Sequence, residues 1–336
     1  MFKFLEKPVI MKISVCIPTY NQAKYLSGTI QSVLSQTLQP DEIIVSNDCS
    51  TDYTKKYLEK LSSRTPLLKI VNQPVNLGMN RNTDVCLRLA KGDFIVKLDS
   101  DDKLLPTYLK ELNELLIKYP DAGFAHAAVQ EIDENDNPTK IRFLARKEEY
   151  LNAESSLKMS LTGYRVSANI IMFRRKALEE VGYISSTINF AEDYFLSVVL
   201  SNAGYGNVYS QKVLACYRVW SDAGKVRQKR KLAEISGLIQ VFNEGIEPAF
   251  KARAWNMKAV KKMRKVLAIR HTDSLGWNFF TREEKKALQQ EICKLSSERT
   301  VKFVIWCYSV GLGPLFNLYN LMWLNTKLRI KSMIYR

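Results

Sequence analysis

Residues 91–102, KGDFIVKLDSDD, set three carboxylates at the end of a short apolar run. Residues 94–98 have the length and composition of a buried strand, and Asp99, Asp101 and Asp102 follow at once. Side chains alternate along an extended backbone, so Asp99 and Asp101 face one way and Asp102 the other. Two converging acids repel each other, and a cation between them relieves the repulsion. A hard divalent ion held by one or two carboxylates plus substrate phosphates suits that donor set. The same residues also fit a strand ending in an acidic, solvated turn, and taken alone they leave both readings open.

The elements that would carry this turn can be read on either side of it. Residues 13–17 form an apolar strand closed by Pro18, and residues 23–35 carry apolar side chains at helical spacing. Residues 41–46 are a second strand, 47–52 a polar loop, 53–61 a helix, 67–71 a third strand, 79–90 a helix and 94–98 the fourth strand. Such alternation predicts an α/β fold with a mostly parallel sheet flanked by helices. Ligands bind beyond the carboxyl ends of such strands, which puts residues 19–21, 48–52 and 99–102 on one edge. Further along, the patterns predict a helix at 106–119, a strand at 122–129, a hairpin tip at 131–137 and an apolar strand at 169–173. A helix at 174–181 stopping at Gly182, another at 191–202 and an extended segment at 207–219 follow.

From residue 225 the texture changes to basic helical segments at 226–243, 248–270 and 281–295. The 336 residues thus divide into an extension at 1–11, an α/β domain at 12–222 and a basic helical region at 223–336. Residues 1–210 hold 25 basic and 25 acidic side chains, and residues 211–336 hold 25 and 9, so the whole excess of +16 is C-terminal. That excess suits anionic lipid headgroups, nucleic acid or an acidic partner. Residues 303–324 carry no charge and are long enough to span a bilayer, but Gly311, Gly313 and Pro314 interrupt them. Trp306, Tyr308, Tyr319 and Trp323, with Lys327, Arg329 and Lys331 beyond, suit a headgroup interface better than either a span or a core or partner-facing helix. Six scattered cysteines without a C-x-x-C pair argue against a zinc site or a disulfide framework and fit a reduced, cytosolic chain. The N-terminal residues hold no long apolar stretch, so no secretory signal is expected.

Five runs in order, VCIPTYN (15–21), SNDCSTD (46–52), NLGMNRN (76–82), AKGDFIVKLDSDD (90–102) and AEDYFL (191–196), resemble glycosyltransferase family 2. The resemblance covers roughly residues 12–220 and implies a GT-A fold. It also implies a non-processive, inverting transferase that moves a sugar from a nucleotide to an acceptor hydroxyl. It places the nucleotide-sugar against Pro18, Thr19, Asn21, Asp48, Arg81, Asp99 and Ser100, with Asp48 pairing with the base. It makes Asp101 and Asp99 the D-x-D ligands of Mn2+ or Mg2+, Asp193 the general base, and Glu192 its support. Each residue has a plainer role beside this one. Asp48 suits an N-cap, Arg81 a surface helix charge, and Glu192 and Asp193 the positive end of a helix dipole.

One departure concerns the metal. Where many relatives carry Tyr-Arg-x-His, this chain has Tyr217-Arg218-Val219-Trp220, and Trp220 can donate one hydrogen bond but cannot ligate a metal. Either metal affinity is then weaker, or Arg218 and the basic cluster at 225–231 assist the diphosphate. The Gln-x-x-Arg-Trp pattern of processive synthases is absent, so one sugar per encounter is expected. His126 in an apolar strand reads as a core residue and His271 as a helix cap. The expected partners are a nucleotide-sugar donor and a glycan or lipid-linked acceptor of surface polysaccharide synthesis. The expected place is the cytoplasmic face of a membrane, contacted through the C-terminal region, with nucleic acid not expected. The alternatives are an inactive scaffold of the same fold, or a nucleotidyltransferase. The latter would want a Lys- and Gly-rich loop after the first strand, which residues 18–21 do not supply.

Overall fold

Short Val/Ile runs separated by amphipathic segments give the strand and helix succession of a layered sheet. The computed structural model describes residues 11–184 and 190–313. Its elements begin with β1 (Ile13–Thr19), α1 (Ala23–Leu34), β2 (Glu42–Asn47), α2 (Thr54–Ser62), β3 (Leu68–Asn72), α3 (Met79–Leu89), β4 (Phe94–Lys97), β5 (Lys103–Leu104) and α4 (Tyr108–Lys118). They continue with β6 (Ala122–Ile132), β7 (Pro138–Arg142), β8 (Tyr150–Leu151), α5 (Ala153–Ser160), β9 (Ile171–Arg174), α6 (Arg175–Val181), α7 (Glu192–Asn202) and β10 (Gly206–Arg218). The last helices are α8 (Ala223–Lys229), α9 (Lys231–Gln240), α10 (Glu247–Ala252), α11 (Met257–His271), α12 (Arg282–Leu295) and α13 (Arg299–Ser309). They group into two compact units, one of Met1–Asn152, Val166–Ser186 and Ala203–Val219, the other of Ala153–Arg165, Thr187–Asn202 and Trp220–Arg336.

The first unit is built on one sheet of order β3-β2-β1-β4-β9-β6-β10-β5, with β7 beside β6 and β8 beside β10. Its N-terminal half is parallel as expected, Val15 lying between Ile43 of β2 and Val96 of β4. Beyond β4 it is mixed: β9 is antiparallel to both β4 and β6, and β6 and β10 are parallel to each other. Val15, Ile17, Val45, Val96, Leu26, Ile30 and Leu112 belong to one buried core, which fixes the faces of β1, β2 and β4. Fully burying each such side chain stabilises the fold by roughly 1.5–3 kcal/mol. The glycine of KGD has a packing cause. A Cβ on Gly92 would lie 2.6 Å from Ser14 N and 2.9 Å from Lys12 O, so only glycine lets the turn before β4 meet β1.

The second unit is helical, with two apolar clusters. Leu157, Tyr194, Val198, Phe242, Ile246, Phe250 and Met263 form one, and Ile235, Ile269, Leu288, Ile292 and Val301 form the other. The long helices expected here are broken. The segment expected at 226–243 divides at Arg230 and ends in a wide π turn, Val241–Ile246, which runs into α10. Pro248 sits in the first turn of α10, directly after that π turn. Ala254, at φ 53°, separates α10 from α11, whose N-cap Asn256 accepts from Lys258 N. Residues 1–10 of the expected extension and 314–324 of the uncharged stretch lie outside the described residues. The part of that stretch inside them ends α13 at Ser309, and no helix among the described residues is long and apolar enough to cross a membrane.

Candidate active site

The parallel register brings the ends of β1, β2 and β4 together in the first unit. Thr19 pairs with Asn47, Asp48 N donates to Thr19 O at 2.9 Å, and Leu98 N donates to Cys16 O at 3.0 Å. Pro18 and Thr19 are therefore beside Asp48 on the carboxyl edge. Thr19 Oγ1 is buried with no hydrogen-bond partner, which is unusual for a hydroxyl inside a folded chain. Asn21 takes a positive φ of 52° and joins two loops, its Oδ1 accepting from Thr51 N at 2.8 Å and its N–H donating to Ser50 Oγ.

Asp48 is not a helix cap. It is buried, and its two oxygens accept from Leu77 N at 2.7 Å and Gly78 N at 3.0 Å. Two oxygens offer about four acceptor directions, so the carboxylate keeps capacity for another donor. The first amides of α2 and α1 are met instead by Asp52, whose oxygens accept from Thr54 N and Ala23 N. Gly78 precedes α3 at φ 81°, a conformation that favours glycine and turns the Leu77 and Gly78 amides onto Asp48. Buried Asn82 locks α3 to β2, donating to Ser46 O at 2.9 Å and accepting from Ser46 Oγ at 2.6 Å. Arg81, one residue earlier, is exposed.

The acidic turn follows β4. Ser100 is buried, and its carbonyl accepts from Thr29 Oγ1 of α1 at 2.9 Å. Asp99 and Asp101 are partly exposed, and Asp102 is buried, its Oδ1 accepting from Arg218 N at 2.7 Å. Burial first, then the charges of Asp99 and Asp101, push the Asp102 carboxyl well above the usual carboxylate range. Sequence reasoning missed Lys97, which is buried with Nζ 3.3 Å from Asp99 Oδ1. The signal was present, because residues two apart on a strand share a face.

Arg218 is a strut, which corrects its expected role beside the diphosphate. Its side chain is fully buried; Nε donates to Asp101 O at 2.9 Å, Nη1 to Asp133 O and Nη2 to Asp136 Oδ1 at 2.6 Å. The guanidinium also lies 4.4 Å from the centre of the Tyr25 ring. With each of its three nitrogens hydrogen-bonded to protein, it braces the acidic turn against the hairpin tip between β6 and β7. That tip is itself folded on Asp133, whose Oδ1 accepts from Asn135 N and Asn137 N. Lys103 completes the brace at 2.8 Å from Asp136.

The donor set suits a hard divalent ion of limited protein ligation. Asp99 and Asp101 supply carboxylates, and Asp102 Oδ2 is buried without a hydrogen-bond partner. Among the described residues no group of three or more His, Cys, Asp or Glu side chains forms a metal cage. An ion there would take its remaining ligands from water and substrate phosphates, as Mg2+ commonly does.

Glu192 and Asp193 belong to the second unit, in the first turn of α7. Asp193 is buried and Glu192 partly exposed. Ala191 just before them has φ 65°, an uncommon conformation for a residue with a Cβ and a sign that the entry to α7 is held by its surroundings. His126 is a core residue as expected, fully buried 4.9 Å from the Tyr209 ring, with burial and Arg146 pushing its pKa well down. His271 does more than cap α11. It is buried, with Nδ1 3.3 Å from Lys231 Nζ, and burial, then Lys231, push its pKa down to about 3.

The family described as glycosyl transferase family 2 matches residues 14–182, half of the chain. The chain is 30% identical over 192 residues to a chondroitin synthase of Pasteurella multocida, covering 57% of this chain and 19% of that protein. It is 33% identical over 106 residues to an uncharacterized glycosyltransferase of Haemophilus influenzae, covering 32% of this chain and 33% of that protein. It thus spans a third or less of these relatives. Its fold is similar to Staphylococcus aureus TarS in complex with UDP, with a TM-score of 0.55, 19% identity and coverage of 90% of this chain and 92% of that one. It is similar also to the mannosyltransferase PcManGT of Pyrobaculum calidifontis in complex with GDP-Man and Mn2+, at TM-score 0.55, 17% identity and coverage of 94% and 92%.

Proposed function

The chain belongs to glycosyl transferase family 2, and from that premise we propose that it is a metal-dependent, inverting transferase. It moves one sugar from a UDP-sugar to a hydroxyl of a glycan or lipid-linked acceptor in surface polysaccharide synthesis. The observation that carries this reading is the single edge on which Thr19, Asp48 and the Asp99 to Asp102 turn are assembled. Nucleotide-sugars bind to proteins of similar fold, UDP-GlcNAc to TarS and GDP-Man to PcManGT.

In this reading Asp48 accepts the imide N–H of uracil, a donor that cytosine lacks, and Thr19 Oγ1 gains the partner it now lacks. Pro18, Asn21, Arg81 and Ser100 shape the rest of the nucleotide site. Asp101, with Asp99, holds Mn2+ or Mg2+, whose chemistry there is Lewis-acid stabilisation of the leaving diphosphate. Lys97, 3.3 Å from Asp99 Oδ1, aims that carboxylate. Asp193 removes the proton of the attacking hydroxyl, and Glu192 orients the acceptor; single displacement needs a base on the acceptor side and no protein nucleophile. The C-terminal basic region contacts a membrane at its cytoplasmic face.

Calorimetric titration of UDP, GDP and dTDP, each with and without Mn2+, tests the donor half. UDP should bind in a Mn2+-dependent way, and Asp101→Ala should abolish that dependence. Absence of nucleotide binding under every metal condition would overturn the reading.

A further inference from the structure

In the second unit a cavity of about 850 Å³ opens between the start of α12 and the end of α13. Leu275 lies at its apolar side, and Arg282, Lys285, Lys286 and Gln289 of α12 line it with Tyr308 and Ser309 of α13. The three cations stand at i, i+3 and i+4 of one helix, a spacing at which like charges repel. Glu283 is the one acid on the wall. Other acids of the unit are engaged elsewhere, Glu234 by Arg227 and Lys231, Glu247 by Arg264, Glu291 by Lys294 and Glu298 by Lys265. Glu284 is turned back to its own N-cap, accepting from Thr281 N at 2.7 Å. Among the described residues the wall therefore carries three cations against one acid, with Asp273 acting on Tyr308 at its edge.

Helix α13 adds a second property. Phe303, Trp306 and Val310, at i, i+3 and i+7, are 53%, 54% and 49% exposed, with the two rings stacked at 5.8 Å. An outward aromatic stripe on the helix that also walls a cationic cavity matches an anionic bilayer surface, where rings sit at headgroup depth and Lys and Arg meet phosphate.

We propose that this cavity binds the phosphodiester headgroup of an anionic membrane lipid while Phe303 and Trp306 enter the interface. The proposal rests on the membrane contact inferred above and names the site that makes it. Lipid phosphate is held by Arg282, Lys285 and Lys286, with the Gln289 amide as a neutral donor.

The test is cosedimentation of the full chain with phosphatidylcholine vesicles, with and without phosphatidylglycerol. It compares wild type, Arg282→Ala/Lys285→Ala/Lys286→Ala, and a control of equal charge loss on exposed positions, Lys251→Ala/Lys258→Ala/Lys261→Ala. Wild type should bind only the phosphatidylglycerol vesicles. The cavity variant should lose on the order of a hundredfold in affinity, the sum of three basic residues at the surface, and the control far less. Unchanged circular dichroism and melting of the cavity variant would assign the loss to the site. If the cavity variant binds as wild type does, or the control loses as much, the cavity proposal fails and the membrane contact stands. If wild type ignores anionic vesicles, the membrane contact itself fails. A calorimetric arm with sn-glycerol-1-phosphate separates the sources: tight binding there without vesicle binding makes the cavity a site for soluble phosphates and overturns the lipid assignment.

Discussion

Arg218→Ala removes the brace while leaving the backbone bond from residue 218 to Asp102, so it isolates the side chain. The loss comprises three charge-assisted hydrogen bonds and the contact over Tyr25. Truncating one partner of a buried ion pair costs about 3–5 kcal/mol. Asp136 is 51% exposed and keeps Lys103 at 2.8 Å, so the lower end applies, about 3 kcal/mol. That is a large share of the roughly 5–15 kcal/mol by which domains are stable. Arg218→Lys, whose ammonium cannot span all three acceptors, should recover only part of it. Equilibrium urea unfolding should show a lower midpoint with an unchanged slope. Because Nε holds the carbonyl of Asp101, UDP affinity in Mn2+ should also fall, by about tenfold, the equivalent of one lost hydrogen bond to a charged group. A destabilisation under about 1 kcal/mol, or a full destabilisation with unaltered UDP affinity, would refute the idea that the hairpin tip sets the acidic turn.

Asp193→Asn should lower transfer by about 10²–10⁴-fold while leaving Mn2+-dependent UDP binding within a factor of two, read by radiolabelled transfer beside calorimetry. Gly92→Ala should destabilise by about 1–3 kcal/mol, because the added carbon meets backbone atoms of Ser14 and Lys12 that cannot yield cheaply; thermal melting reads it. His271 gives a pH dependence. Its folded pKa, about 3, lies below the unfolded value near 6.5, so its contribution is complete above pH 6.5 and declines as pH falls toward 3, by about 1.4 kcal/mol per unit. Lys231, Glu234, Arg270 and Arg227 face it and remain in His271→Gln, so urea unfolding from pH 7 to pH 4 should show a flatter slope in that variant. Equal slopes would assign the acid sensitivity to other groups.

The parallel half of the sheet and the acidic turn were legible because Val/Ile runs and a D-x-D-D cluster carry their meaning locally. The direction of β9 was not, since a four-residue apolar strand reads alike in either sense and its neighbours come from distant parts of the chain. Arg218 misled for a related reason. An arginine in the run that stands where relatives carry Tyr-Arg-x-His invites a ligand role, whereas its partners at Asp133 and Asp136 lie over 80 positions away in sequence. Asp48 reads locally as a cap, and only the fold shows that the amides it meets belong to residues 77 and 78. His271 likewise meets Lys231 from 40 residues earlier, which no helical pattern announces.

The division of the chain has a consequence for the order in which a ribosome delivers its parts. Helix α7, which bears Glu192 and Asp193, packs through Tyr194 and Val198 against Phe242, Ile246 and Phe250. Those partners are synthesised after β10 has closed the sheet of the first unit. The nascent protein therefore acquires the edge holding Asp48 and Asp101 while the carboxylate at 193 still lacks the packing that fixes its helix. On the reading proposed above, a chain arrested near residue 220 would bind nucleotide without transferring sugar, and it would expose Leu157, Tyr194 and Val198 to chaperones until the remainder arrived.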